Sequence, residues 1–335
     1  MNKRKRAFSG IQPTGSAHLG NYLGALRNWV AAQEVHDCFY CIVDLHSMTL
    51  PWDPEELRRE TVAKGAELLA AGIDPDKSVL FVQSHVPAHA ELAWVLSCVA
   101  RMGELRRMVQ FKEKSRGETE SVGVGLFTYP VLQAADVLLY QAHGVPVGED
   151  QRQHVELMRD LATRFNSSYG PTFTVPEAWI PETGARVMAL DDPTQKMSKS
   201  ESDVRPSSAI SITDEPDLIR KKVRSAVTDS GREIVAAPDK PAITNLLTIF
   251  SLVEDTPVAE LEERFSDTGY GDFKLALADA VADRLEPIRA RYGELMADLS
   301  ETERLLAAGA RKAAAVAEQT MGVARERTGL GPRPV

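Results

Sequence analysis

Residues 8 to 21 read Phe8-Ser-Gly-Ile-Gln-Pro-Thr-Gly-Ser-Ala-His-Leu-Gly-Asn21, an apolar run that breaks at a Pro/Gly turn and resumes at a His-Leu-Gly-Asn tetrad. Ala7 to Gln12 predicts a short strand, and Pro13, Thr14 and Gly15 end it. Ser16 is a candidate cap for a helix whose apolar positions run Leu19, Leu23, Leu26 and Val30. Strand, tight turn and helix start leave free backbone N–H groups at the positive end of a helix dipole, a seat for phosphate. Gly15 and Gly20 allow a ligand to approach the backbone. His18 stands at that seat, where an imidazole can donate to oxygens that gain charge as a phosphoryl centre is attacked. A capped helix with a solvent-facing histidine fits the same stretch, since glycine-rich strand-to-helix turns recur in α/β proteins.

Outward from this corner, Cys38 to His46 is an apolar, β-branched and aromatic run expected as a buried parallel strand. Asp53-Pro54-Glu55-Glu56 opens a helix ending near Gly72, Val79 to Ser84 is a third strand, and Pro87 opens a helix through Trp94, Leu96 and Val99. Alternating strand and helix imply a parallel, right-handed, Rossmann-like sheet whose ligands sit beyond the strands' carboxyl ends. The His18 tetrad and Asp44/His46 both fall there, although Asp44 and His46 also suit a structural role at a strand end. Gly144 to Val147 predicts another strand and Val187 to Leu190 the last one. From Pro206 strand signals vanish, and Asp214–Val227, Ile243–Val253, Phe273–Leu299 and Glu301–Arg327 show helical periodicity. The expected fold is α/β, with a Rossmann-like parallel-sheet catalytic domain over 1–205 and a helical unit over 206–335.

A length of 335 residues suits two such units. No apolar stretch approaches the roughly 18 residues that span a bilayer, and the basic start MNKRKRAFSG lacks a secretory apolar core, so a cytoplasmic protein without membrane association is expected. Cys38, Cys41 and Cys98 do not make a disulfide framework, and Cys38-Phe-Tyr-Cys41 has no second pair for zinc; no metal ligand set is assigned. The net charge of −9 opposes nonspecific polyanion binding yet permits a local basic patch.

Several stretches carry chemistry. In Tyr129–Tyr140, Tyr129, Gln133, Asp136 and Tyr140 recur at spacings of four, three and four, a polar stripe on an otherwise apolar helix. A carboxylate between Ala135 and Val137 needs a donor, from protein or ligand. Gly103–Arg116, with Arg106, Arg107, Lys112, Lys114 and Arg116, reads either as a solvated helix face or as a contact for phosphates. Gly148-Glu149-Asp150-Gln151 opens the helix bearing His154, Leu157, Met158 and Leu161, as a cap or as a holder of a ribose hydroxyl. Lys196-Met197-Ser198-Lys199-Ser200 suits phosphate or a plain surface linker.

Together, Gln12-Pro-Thr-Gly, His18-Leu-Gly-Asn21 and Lys196-Met-Ser-Lys-Ser200 resemble the two signatures of class I aminoacyl-tRNA synthetases, in order at opposite ends of a Rossmann domain. DLHSMT, FKEKS, TYPVLQAAD, VPVGEDQRQH and SAVTDS resemble the bacterial tryptophanyl branch across nearly the whole chain. That resemblance implies ATP contacts from Gln12, Pro13, Thr14, Gly20, Asn21, Gly148, Glu149, Asp150, Val187, Lys196, Met197, Ser198, Lys199 and Ser200. It implies Asp136 as acceptor of the indole N–H, with Phe8, His46, Tyr129, Gln133, Val145 and Val147 around the rings. Gln12, Tyr129 and Gln151 would hold the amino-acid head group. His18, Lys196 and Lys199 would be catalytic, stabilising phosphate charge. Asn21 stands where the first signature usually ends in His, and Gln133 where many bacterial members carry Met.

The implied reaction joins L-tryptophan to AMP from ATP with Mg2+, then passes the acyl group to tRNA(Trp). A homodimer is implied, with the helical unit reading the anticodon and the last helix folding back on the catalytic domain as one possible arrangement. Lys112, Lys114, Arg116, Lys221, Lys222 and Arg224 are candidates for tRNA phosphates. Two other readings explain less: a different nucleotidyltransferase accounts for the first signature only, and a non-catalytic tryptophan- or RNA-binding regulator leaves the lysines unused.

Overall fold

The computed structural model describes residues 4–108, 123–180, 186–198 and 204–331. Strands β1 (Arg6–Ile11), β2 (Asp37–Ile42), β3 (Ser78–Val82), β4 (Gly144–Pro146) and β5 (Glu177–Trp179) form one parallel sheet in the order β3-β2-β1-β4-β5. Ala7 pairs with Cys38 on one side and Gly144 on the other. Strand order reverses at β1, which opens a crevice beyond the carboxyl ends of β1 and β4.

The helices are α1 (Leu19–Asn21), α2 (Arg27–Ala32), α3 (Asp44–Ser47), α4 (Pro54–Ala70), α5 (Ala88–Ser97), α6 (Met102–Leu105), α7 (Val124–Leu138), α8 (Arg152–Tyr169), α9 (Pro216–Ser225), α10 (Pro241–Glu254), α11 (Val258–Arg264), α12 (Tyr270–Ala297) and α13 (Leu299–Thr328). A π-helical segment, Tyr22–Leu26, joins α1 to α2. Asp53 caps α4 by accepting the Glu56 N–H at 2.8 Å with Pro54 in the first turn, as its sequence predicts.

Side chains alternate across the sheet. Ala7, Cys38, Tyr40, Ile42, Leu80 and Val82 enter one apolar core with the 19–29 helical run, α9, α10 and α12. Phe8, Phe39, Cys41, Val43 and Phe81 enter the other with α5, α7, α8 and α13. Cys38 and Cys41 therefore lie on opposite faces as buried thiols. The helices after 206 share both cores with the sheet, and α13 lies back along β3. A Cβ on Gly309 would collide with the Leu80 carbonyl, so only glycine permits this approach. Arg325 of α13, 6% exposed, closes the packing with two hydrogen bonds of 2.6 Å to the Glu91 carboxylate on α5.

Several expectations are corrected. The strand expected to reach His46 ends at Ile42, because Asp44 accepts the Leu45 and Ser84 N–H groups at 3.0 Å and turns the chain into α3. Val187–Leu190 is no strand of the sheet. Val187, Ala189 and Leu190 are buried, but the segment's partner is the 195–197 segment, with Ala189 N–H donating to Gln195 and Met197 N–H to Val187. On its other side the Asn245 amide, 57 residues away, accepts from Met188 N–H and donates to its carbonyl, replacing a neighbouring strand. The fifth strand is Glu177–Trp179. The 103–116 stretch enters α6 for a few residues only; 109–116 lie outside the described residues.

Candidate active site

The crevice at the β1/β4 switch holds a cavity of about 360 Å³. All eight residues assigned to tryptophan, Phe8, His46, Tyr129, Gln133, Asp136, Val145, Val147 and Gln151, line it together with Gln12. Its polar side comes from the α7 stripe, where three- and four-residue spacing brings Tyr129, Gln133 and Asp136 to one face. Ser9, Gly10, Trp29, Val43, Val137, Pro146 and Met158 complete the lining.

Asp136, 1% exposed, is both paired and available. Oδ1 accepts from Gln83 Nε2 at 2.7 Å and His89 Nδ1 at 2.6 Å, while Oδ2 accepts from His46 Nε2 at 2.8 Å. Burial alone would raise its pKa, but the hydrogen bonds and charges of His46 and His89 outweigh burial and hold it well below the usual range. His89 Nδ1 donates to this carboxylate and its Nε2 meets the Tyr140 hydroxyl at 2.7 Å, so Tyr140 anchors the chain of bonds. An ionised carboxylate has about four acceptor positions. Three are filled, and the one left belongs to Oδ2 at the cavity wall. Tyr129 meets His154 Nε2 at 2.8 Å. Burial lowers the His154 pKa to about 4 and raises that of Tyr129 to about 12, so both are neutral at pH 7.

The second cluster surrounds the start of α1. Its cap is His18 rather than Ser16: Nδ1 accepts the Asn21 N–H at 3.2 Å, and Asn21 Oδ1 accepts the His18 N–H at 3.3 Å. Ser16 instead bonds the Ser211 and Thr213 hydroxyls at 2.7 and 3.2 Å. His18 is buried, and burial, then the charges of Lys196 and Lys64, lower its pKa to about 4. The ring is therefore neutral with its proton on Nε2. Gly20 packs against this ring and Val187, whose carbonyl binds Met197, so the two signatures meet. Lys196 is exposed beside them, while Met197 is buried and serves the core.

The other expected residues divide. Gln12, Thr14 and Asn21 are exposed and Pro13 is buried. Gly148, Glu149 and Asp150 sit exposed at the mouth of the cavity, next to Val147 and Gln151. Asp150 folds over Gly148 and accepts from Gln151 at 3.0 Å, Glu149 pairs with Arg152 at 2.5 Å, and neither acid caps the helix. Ser198 is half-buried; Lys199 and Ser200 lie outside the described residues, as do Lys112, Lys114 and Arg116. Lys222 is drawn into an ion pair with Asp214 at 2.6 Å, whereas Lys221 and Arg224 are exposed. Gln83, His89 and His154 were not marked in the sequence, because nothing in local spacing distinguishes them from ordinary core polar residues.

The chain matches the family of class I tRNA synthetases for tryptophan and tyrosine (W and Y) over residues 1–286, and belongs to it. Relatives 46–53% identical to it are tryptophan--tRNA ligases. The tryptophan--tRNA ligase of Caldanaerobacter subterraneus subsp. tengcongensis is 53% identical over 329 residues, which cover 97% of this chain and 98% of that protein. The tryptophanyl-tRNA synthetase of Mycoplasma pneumoniae superposes with a TM-score of 0.86 at 37% identity, covering 98% of both chains. That of Campylobacter jejuni, solved with ADP and tryptophan, gives 0.84 at 37% identity over 97% of this chain and 99% of the other.

Proposed function

We propose that this chain is a tryptophan--tRNA ligase that makes tryptophanyl-adenylate from L-tryptophan and Mg·ATP and transfers the acyl group to tRNA(Trp). The observation that carries this reading is a buried, ionised Asp136 with one unused acceptor position in a cavity that Phe8, Val43, Val145, Val147 and Met158 also line. Indole nitrogen is donor-only, and an ionised carboxylate is its matching acceptor. Phe8, Val145, Val147 and Met158 wall the rings, with Gln133 on the α7 side, and Gln12, Tyr129 and Gln151 receive the amino and carboxylate groups.

The substrate carboxylate attacks the α-phosphorus of ATP and pyrophosphate leaves; a ribose hydroxyl of the tRNA terminal adenosine then takes the acyl group and AMP leaves. Mg2+ enters with ATP on its phosphate oxygens. The neutral His18 donates from Nε2 to the phosphates, and Lys196 and Lys199 offset the charge that grows on them. Gly20 and Val187 seat the adenine, with Pro13, Thr14, Asn21, Met197, Ser198 and Ser200 around the nucleotide. Gly148, Glu149 and Asp150 meet the ribose.

We assign residues 1–205 to catalysis and the helices of 206–335 to the tRNA anticodon, in a cytoplasmic homodimer. Met48, Leu50, Trp52, Trp94, Met102 and Val124, 43–75% exposed, supply apolar surface for the second copy. Tryptophan-dependent exchange of pyrophosphate into ATP tests the reading. A nucleotidyltransferase for another acid shows no dependence on tryptophan, and a non-catalytic regulator binds tryptophan without exchange; either result overturns it.

A further inference from the structure

Beneath the turn that leads into His18 lies an ion pair that the reaction scheme above does not use. Lys64 and Glu67, one turn apart on α4, meet at 2.5 Å, each 3% exposed. Burying two charges is costly and is offset only when their remaining hydrogen-bonding positions are filled. Here both point to the same short stretch of backbone. Glu67 Oε1 accepts the Ala17 N–H at 2.5 Å, and Lys64 Nζ donates to the Gly15 carbonyl at 2.8 Å. Gly15 itself has φ of 48°, a left-handed conformation that other residues seldom adopt, so the turn needs outside support to hold one shape.

The opposite side of the turn is tied to residues 210–213. Leu19 N–H donates to Ile210 at 2.7 Å and Ile212 N–H to Ala17 at 3.0 Å. The turn is thus clamped between α4 and the segment entering the helical region. An apolar contact would hold the helix against the turn, but it would not fix two peptide groups by direction. The pair does so, and the next residue is His18.

We propose that Lys64 and Glu67 are positioning residues for adenylate formation, fixing the Gly15–Ala17 turn so that His18 is presented to the phosphates of ATP. This rests on the synthetase reading. A displacement of about 1 Å in a group that meets the reacting atoms costs up to about 100-fold in rate.

The test uses Lys64→Met, Glu67→Leu and the double variant in the full chain. Pyrophosphate exchange is expressed per folded chain, with tryptophan affinity by equilibrium dialysis and a thermal melt alongside. Each single variant is expected to lower kcat by about 10- to 100-fold with tryptophan Kd within twofold. The double variant leaves neither charge buried alone, so its melting temperature recovers relative to the single variants. Its kcat stays low, because Met cannot donate to Gly15. A double variant that regains kcat to within threefold of wild type overturns the proposal, leaving the pair a purely structural one; so do single variants within threefold. A wild-type chain that fails to exchange instead overturns the synthetase reading itself, and the proposal with it.

Discussion

Replacing Asp136 by Asn separates recognition of indole from support of the core. Asp136→Ala would strand three buried donors, from His46, Gln83 and His89, at about 1–3 kcal/mol each, and confuse lost fold with lost function. Asn keeps the shape and retains its carbonyl oxygen for Gln83 and His89. Its NH2 group then occupies the place of Oδ2, where His46 accommodates it by changing tautomer. An indole N–H cannot, since it meets a donor where it needs an acceptor. Loss of one hydrogen bond to a charged group, with the indole N–H left unpaired, costs tryptophan about 2–4 kcal/mol, or roughly 30- to 900-fold in kcat/KM. Phenylalanine has no N–H to lose, so its kcat/KM changes little and the preference for tryptophan collapses by the same factor. Pyrophosphate exchange with each amino acid, beside a thermal melt, makes the measurement. A folded Asp136→Asn chain that still prefers tryptophan as strongly as wild type refutes the role given to Oδ2.

Lys196→Ala and Lys199→Ala are expected to slow adenylate formation by on the order of 100-fold with tryptophan Kd unaltered, as single-turnover rates and dialysis will show. His18 and His154 have folded pKa values of about 4 against 6.5, so the unfolded chain binds more protons between these values. Stability is therefore full above pH 6.5 and falls toward pH 4, by roughly 2–3 kcal/mol per ring; urea melts at several pH values should show a shallower fall for His18→Asn, which keeps a capping side chain without the titrating ring. Gly309→Ala should lower stability by about 1–3 kcal/mol by forcing α13 away from the Leu80 carbonyl, and a melt identical to wild type would contradict that packing.

What the sequence disclosed depended on how local its signals were. The strands from β1 to β4, the Asp53-Pro54 start of α4 and the stripe of Tyr129, Gln133 and Asp136 are each written within a few residues, and all were legible. β5 was not, because Glu-Ala-Trp follows Pro176 and has none of the length of a strand signal. Val187–Leu190 misled for the opposite reason: Val187, Ala189 and Leu190 are buried, yet its hydrogen bonds go to Asn245, to its own hairpin and to Ser208 and Val227. Ser16 is the better intrinsic cap, but the 210–213 segment takes its hydroxyl and leaves the cap to His18. Lys64 and Glu67 look like any surface pair three residues apart on a helix. Only the tertiary structure buries them.

The return of α13 to the sheet orders events during synthesis. Among the described residues β3 is an edge strand paired with β2 alone, and its outer flank is covered by a helix that begins more than 200 residues later, at Leu299. Until that helix leaves the ribosome the nascent sheet presents an uncovered edge and half an apolar core, the kind of surface on which other strands aggregate. The Arg325–Glu91 bond lies at the far end of the same helix, so the last contacts to form lock some of the first elements made. Folding of the sheet is in this sense completed only once α13 has been made.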